Sequence, residues 1–494
     1  MKKAFLLLLV VIAFSLAQGQ GRLDVVFDKK DLVEDLNDLK STILKSHPDP
    51  FVFCTEKEFL NMHLASTIAV DNEMNLRDFS FIVANFLQIL KDSHTTLDYN
   101  QLQQLQMDGG GYYLPLTLER IESLDSVSKF DIVIRNYWGN ENLKGAKVLA
   151  INGISIDSLY SVASTYACIE GDAESAHNSV ATAILTTVAG LLKPYQKTNT
   201  LRIIPFESDV PKDLVVRAYN SKEFAKKRSE RAKLDQNKVL DLNFDEEHNL
   251  AILQVGTFSP SSGRAFRKFI KESIEEVIDS GYKHLAIDIR GNGGGSSAWV
   301  EYLYSFIDTL GYNTPSNVIA KNSEIALSRA RMYHSALGKI FTFLFYRNNE
   351  DVQSFRQFAS LELGEMDTIY FHKPTKQTKE IVFTGDCFLL INGLTASAGV
   401  DFTNAFRSRE RGEIIGEQCL GPVNGTWGNP AGYTLSRTGL RLSIATIRYN
   451  YDNTFEYSMN GINPDYMVDC TRQDIFHEVD TQVEFVKKLI DEKK

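Results

Sequence analysis

Residues 387–408 read Cys387-Phe-Leu-Leu-Ile-Asn-Gly-Leu-Thr-Ala-Ser-Ala-Gly-Val-Asp-Phe-Thr-Asn-Ala-Phe-Arg-Ser408. The first five residues are an apolar run of strand length, Gly393 to Ala396 form a turn made mostly of small residues, and a helical pattern follows from Ser397. A serine at that junction is exposed at the end of a buried strand, beside the unpaired N–H groups and positive dipole end of the next helix. An acyl-transfer nucleophile needs that geometry, with oxyanion stabilisation close by. The same position is also an ordinary N-cap, so the segment alone leaves both readings open.

Working outward, the surrounding chain alternates between strand and helix patterns. Leu250–Val255 and His284–Ile289 read as strands, and Arg264–Ser280 as a helix with Phe266, Phe269, Ile270, Ile274 and Val277 on one face and Gly281 at its end. Another helix is expected at Ala298–Leu310 and another strand at Glu413–Gly416. Such alternation predicts a largely parallel, helix-covered sheet over 241–494. Residues 312–380 are irregular and aromatic-rich, either a lid or an ordinary insertion.

Upstream, 18–107 reads as helical. Leu32, Leu36, Leu39, Ile43 and Leu44 recur at helical spacing, His47-Pro-Asp-Pro50 forces an extended turn, and Leu76–Leu90 is a second apolar helix. That helix stops at Lys91-Asp-Ser-His-Thr-Thr-Leu97. From 108 to 220 the texture is β-rich. There Leu143–Ser155, a strand entered from a glycine turn and closed by Asn152-Gly153, is similar to a strand of PDZ domains, with a helical insertion at 157–193. PDZ domains take up an extended chain end by strand addition. The charged stretch Ser221–Arg231 reads as a linker, placed at 221–240.

The bulk numbers exclude several classes. Met-Lys-Lys at 1–3, the apolar run Ala4–Leu16 and the small-residue site Ser15-Leu-Ala17 form a secretory leader over 1–17 that is too short for a membrane span. No later stretch is long and apolar enough to cross a bilayer, so an exported chain, periplasmic or extracellular, is expected. A net charge of −10 opposes nucleic acid and anionic lipid as partners. The five cysteines (Cys54, Cys168, Cys387, Cys419, Cys470) include no C-x-x-C pair, so single thiols are expected rather than a zinc cage.

Asp288-Ile-Arg-Gly-Asn-Gly-Gly-Gly295 follows one of the strands. It lacks the Gly-Lys-Ser/Thr of a phosphate loop, and Ser296 stands where a dinucleotide fingerprint needs its third glycine. The glycines are therefore a tight turn or half of an oxyanion hole. Together with Asn392-Gly-Leu-Thr-Ala-Ser-Ala-Gly399, Gly416-Glu-Gln-Cys-Leu-Gly421 and Gly461-Ile-Asn-Pro-Asp465, in that order, this segment resembles the S41 serine peptidases, the tail-specific or C-terminal processing group. The resemblance implies a multidomain α/β protein: a helical N-terminal region, a PDZ-like domain and a crotonase-like catalytic domain. It also implies Ser397 as nucleophile, an oxyanion hole from the amides of Ala398 and of Gly294 or Gly293, a peptide or protein substrate, and no metal or cofactor.

The departures decide the expected mechanism. The Ser–Lys branch places its lysine where this chain has Pro422, which cannot take a proton. Asp92-Ser-His94-Thr-Thr-Leu97 instead resembles the Asp-Gly-His-Thr segment of a second branch, similar to tricorn-type and chlamydial secreted proteases. That branch pairs a histidine with a late glutamate. His94 is then the general base and Glu456 the residue that fixes its tautomer, with Asn460 as alternative. Val400 and Cys419 replace an acidic residue and a threonine common in the family. A non-catalytic protein that keeps the fold to bind a peptide or apolar ligand is the rival reading.

Overall fold

The computed structural model describes residues 21–123, 129–139, 142–309, 317–329, 360–370, 381–421, 425–451 and 460–493, with the side chains of 232–238 excepted. The N-terminal region packs α1 (Lys29–Ser46), α2 (Glu56–Ile68) and α3 (Leu76–Leu87). Helical spacing turns Leu32, Leu36, Leu39 and Ile43 inward on α1, where all four are buried. The Asn75 side chain caps α3, and a short 3-10 turn ends at Lys91 in the left-handed region (φ 47°). The chain then leaves the helix as Asp92-Ser-His94 and enters β1 (Thr96–Leu97).

The second unit is an antiparallel sheet of β2 (Leu116–Glu122), β3 (Phe130–Tyr137), β4 (Lys147–Ile151), β5 (Thr198–Ile204) and β6 (Lys212–Arg217), in spatial order β6-β5-β4-β3-β2. The Asn152-Gly153 turn brings the short strand Ile154–Ser155 back onto β4. Between β4 and β5 the expected helical insertion forms α4 (Ile156–Tyr166) and α5 (Glu174–Leu192). Strand β2 is left at an edge, with α5 packed beside it.

The stretch read as a linker is instead part of α6 (Ser221–Val239). Asn220 and Glu223 form a reciprocal capping box, which satisfies two orphan backbone donors at its start. Charge density suggested a flexible segment, whereas this local capping signal favours a helix.

The third unit carries β7 (Leu240–Asp245), β8 (Leu250–Val255), α7 (Gly263–Asp279), β9 (His284–Asp288), α8 (Ser297–Tyr304), β10 (Asp386–Ile391), α9 (Ala398–Ser408), β11 (Gly412–Gly416), β12 (Arg441–Ile444), β13 (Tyr466–Met467) and α10 (Thr481–Glu492). Its main sheet has the order β7-β8-β9-β10-β11-β13, parallel throughout except for β7 against β8. Alternation along the strands sends Leu285, Ile287, Leu389 and Ile391 to one face, against Phe266 and Ile270 of α7 and Phe402 and Phe406 of α9. Ala286, Phe388 and Leu390 go to the other, against Val486 and Ile490 of α10. Both faces are covered, which explains why β10 reads as a continuous apolar run rather than an alternating one.

Of the irregular region, Asn317–Lys321 pairs antiparallel with Met366–Tyr370 and with Ile447–Asn450; most of the rest lies outside the described residues. All five cysteines are free thiols, four of them buried and Cys470 partly exposed.

Candidate active site

Strand β10 ends at Ile391, and the turn to α9 is built from its own small residues. Thr395 Oγ1 donates to the Ile289 carbonyl at 3.0 Å and accepts the Asn392 N–H at 3.1 Å, while the Ala396 N–H donates to the Asn292 carbonyl at 2.9 Å. These bonds fix the turn against the Asp288–Gly295 loop. Ser397 sits at the N-cap of α9 with φ 52° and ψ −120°, a strained conformation for a residue with a Cβ. Its carbonyl accepts the Val400 and Asp401 N–H groups, but its hydroxyl caps nothing. Among the described residues the Ser397 hydroxyl makes no hydrogen bond, so it stands free on a sharp strand-to-helix turn.

The glycine loop lies directly against this turn. A Cβ on Gly294 would come within 2.6 Å of Ser397 Cβ and 2.8 Å of Ala398 N, and Gly294 has φ 97°. Only glycine fits there. The Gly294 N–H, expected as an oxyanion donor, is already given to Asn292 Oδ1 at 2.9 Å. Its neighbour Gly293 and the first helical residue Ala398 have amides without a hydrogen bond among the described residues. The free pair at the turn is thus Gly293 and Ala398.

His94 is brought to this unit by β1, whose Leu97 and Thr96 pair with Leu442 and Ser443 of β12. Ser443 Oγ donates to the His94 carbonyl at 2.9 Å, and Thr95 Oγ1 accepts the Ala445 N–H at 3.0 Å. The buried Asp92 accepts the His94 backbone N–H at 2.8 Å and His47 Nε2–H at 3.0 Å. Because His47 Nδ1 accepts the Asp49 N–H at 3.2 Å, Nε2 is the ring atom that carries the proton. The His47-Pro-Asp-Pro50 turn therefore supplies a buried support for the His94 loop, a role its sequence did not signal.

The His94 ring has two partners at Nδ1, of which Ser93 Oγ is the longer at 3.4 Å. Nδ1 lies 2.8 Å from Glu170 Oε1, and Glu170 is fully buried between α4 and α5. Thr426 Oγ1 lies 2.9 and 2.8 Å from the two carboxylate oxygens. The adjoining backbone is stitched down by Gly171 N–H to the Lys91 carbonyl (3.1 Å) and by the Lys91–Asp172 ion pair. A Cβ on Gly421 would meet Glu170 Oε2 at 3.0 Å and Val400 Cγ2 at 3.2 Å. The carboxylate and the first turn of α9 are thus held about one methyl group apart.

Burial opposes the charged form of each acidic group here, and the outcomes differ with the partners. Asp92 is held well below the carboxylate range, because hydrogen bonds from His47 and His94 outweigh burial. Burial pushes Glu170 up. Burial would lower His94, but its contacts with Asp92 and Glu170 outweigh that and raise it well above an ordinary imidazole. Asp401, buried on α9 and bonded to Tyr451 and Ser297, is pushed up to about 7 by burial and by the charge on Glu170. Asp92, His94 and Glu170 offer ligand atoms within 4.8 Å of one another, a spacing that suits a metal ion. Their oxygens, however, are already occupied by His47, the His94 N–H and Thr426, which makes the cluster a hydrogen-bonded relay.

Of the residues expected from sequence, Ser397, Ala398 and the glycine loop meet at one turn, and His94 is tied to the same unit. Glu456 and Pro422 lie outside the described residues. Glu170 was not anticipated: it is 76 positions from His94, in a segment with no motif of its own.

A serine free at a strained strand-to-helix turn, unpaired amides beside it and a carboxylate-bound histidine are the kinds of group that acyl-transfer chemistry uses, carried here on a parallel α/β core. Residues 249–468 match the model of peptidase family S41, so the parallel α/β unit is similar to the peptidase domain of that family. Two CPAF structures share the fold. A serine-to-alanine mutant of CPAF aligns with a TM-score of 0.65 at 14% identity, covering 94% of this chain and 97% of that one. Mature CPAF complexed with lactacystin aligns at 0.57 and 16% identity, covering 94% and 98%. The photosystem II D1 C-terminal processing protease aligns at 0.44 and 14% identity, covering 93% and 97%. No curated protein matches the sequence.

Proposed function

We propose that this chain is an exported serine endopeptidase in which Ser397 attacks a peptide carbonyl and His94 takes its proton at Nε2. The proton then passes to the leaving amine, and the amides of Gly293 and Ala398 hold the oxyanion. The observation that carries this reading is the backbone of Ser397. Strain at φ 52°, ψ −120° on a residue that caps nothing is retained where the surrounding structure enforces it, as at functional sites. His94 has its Nδ1 engaged with Glu170 and no hydrogen bond at Nε2 among the described residues, which leaves Nε2 open to the serine once the ring is neutral. No hydrogen bond joins it to Ser397 among the described residues, so this reading requires the contact to form when substrate binds. The leader at 1–17 supports export.

A cavity of about 1000 Å³ between the second and third units supports a route for the substrate. Edge strand β2 and α5 line one side, and Asn392 and Leu394, on the turn to Ser397, line the other. An extended peptide adding to β2 would be led towards the nucleophile, the use expected of a PDZ-like domain.

A fluorophosphonate probe tests the assignment. It should label the wild type and leave Ser397→Ala and His94→Ala unlabelled. Equal labelling of wild type and Ser397→Ala would end the catalytic reading, while no labelling of the folded wild type would favour a binding protein.

A further inference from the structure

We propose that Glu170, from the loop between α4 and α5, is the residue that positions the catalytic imidazole, and that the site is assembled from all three units of the chain. This deepens the acyl-transfer reading above and rests on it.

The geometry meets each requirement for such a residue. The carboxylate is 2.8 Å from Nδ1, on the side of the ring opposite the nitrogen that must face serine. It is held in place: Thr426 bonds it, and its neighbour Gly171 is tied to Lys91. It is fully buried, so its attraction for the imidazolium is weakly screened. The other carboxylate near the ring, Asp92, is 3.7 Å from Nδ1, beyond a hydrogen bond, and is already bonded to His47 and to the backbone of His94. Asp92 therefore places the loop, whereas Glu170 places the ring. When Nε2 accepts the Ser397 proton, Nδ1–H remains bonded to Glu170, and the carboxylate stabilises the imidazolium without being protonated itself.

The consequence concerns the architecture. The positioning carboxylate comes from the inserted helical pair whose second helix, α5, lines the inter-unit cavity. The orientation of the base thus depends on how that pair is seated on the peptidase domain.

The test is the pH dependence of fluorophosphonate labelling in the full-length protein, measured for wild type, Glu170→Gln, Glu170→Asp and Glu456→Gln, with Ser397→Ala as the separate control of the catalytic reading. Glu170→Gln is expected to lower the plateau rate by roughly 10²–10⁴-fold, as for other carboxylate-to-amide changes behind a catalytic histidine. It should also move the acidic limb to lower pH, because the anion favouring imidazolium is gone; a purely structural role would lower the folded fraction without moving the limb. Glu170→Asp keeps the charge and should retain the limb near its wild-type position with a plateau reduced about tenfold. A low-field imidazole Nδ1–H resonance in Ser397→Ala, lost on adding Glu170→Gln, is the second readout and does not depend on activity. A wild-type plateau and unmoved limb in Glu170→Gln would overturn the proposal, as would a limb that moves in Glu456→Gln but not in Glu170→Gln. Labelling of Ser397→Ala at the wild-type rate would instead remove the reading on which the proposal rests.

Discussion

His94 Nδ1 and Glu170 Oε1 lie 2.8 Å apart across 76 positions of chain, and both groups are shielded from water. The pair has one proton to hold, and two influences act to retain it. Burial raises the carboxyl, and the carboxylates of Asp92 and Glu170 raise the imidazole. The base is therefore expected to start out protonated at neutral pH.

The first prediction follows from that sign. A base whose pKa is raised becomes available only as pH rises through the raised value. Labelling of Ser397 should be slow at pH 6 and increase about tenfold per pH unit until its midpoint, which should lie above the ordinary imidazole value of about 6.5. A pH series of probe-labelling rates measures it, and a midpoint at or below 6.5 would contradict the arrangement. The same shift has a stability consequence. His94 contributes stability that is complete below its unfolded pKa and is lost as pH rises through the folded one. The stability difference between wild type and His94→Asn in urea should accordingly shrink from pH 6 towards pH 10.

A second prediction separates two adjacent glycines. A Cβ on Gly294 would meet Ser397 Cβ at 2.6 Å and the Ala396 carbonyl at 2.8 Å, and its φ of 97° is unfavourable for any other residue. A Cβ on Gly293 would meet nothing within 4 Å. Gly294→Ala is expected to cost about 3 kcal/mol or more and to reduce labelling over a hundredfold. Gly293→Ala should leave the melting temperature within a degree or two of wild type. Thermal unfolding of the two variants side by side decides the matter; equal melting temperatures would show that the glycine loop is not seated on the nucleophile turn.

A third prediction concerns His47. Its Nε2–H bonds the buried Asp92 carboxylate, which also holds the His94 backbone. Removing the donor leaves a buried charge short of a partner, so His47→Ala should cost about 3 kcal/mol in urea unfolding. His47→Gln retains an N–H donor and should recover part of the loss. If the two variants are equally destabilised, the cost is that of an emptied volume beside Trp427 rather than of the hydrogen bond.

These contacts mark how far the sequence could be read. The Ser397 turn was legible because strand, small-residue turn and helix are consecutive, so local pattern and local structure coincide. The two-sided burial of β10 and the inward face of α1 were legible for the same reason. His94 is singled out by its motif, although nothing in the motif indicates that β1 pairs with β12. Glu170, Thr426 and His47 were not legible, because each acquires its role from a contact made only when separate units dock. Glu170 to Thr426 spans 256 positions, and no periodicity records such a meeting. The 221–240 segment differs for another reason: its charge run resembles a linker in composition, whereas Asn220 and Glu223, three residues apart, form the capping signal that starts α6.

The last prediction turns on Asp401, one turn into the helix that Ser397 begins. Its carboxyl is buried, bonded to Tyr451 and Ser297, and pushed up to about 7 by burial and by the nearby charge of Glu170. In the unfolded chain the same group titrates near 3.9. Between those two values the folded protein holds a proton that the unfolded chain has released, so stability must fall as pH rises across that window. The drop amounts to about 3–4 kcal/mol for one group shifted this far. Asn is close in shape to the neutral acid, can accept the Tyr451 hydroxyl and has no such titration. Asp401→Asn should therefore be near wild type in stability at pH 4 and exceed it by a few kcal/mol at pH 8. Urea unfolding at the two pH values measures the difference. Were the advantage of Asp401→Asn constant with pH, Asp401 would be ionised throughout, and the negative charge beside Glu170 would have to be balanced by a protonated His94.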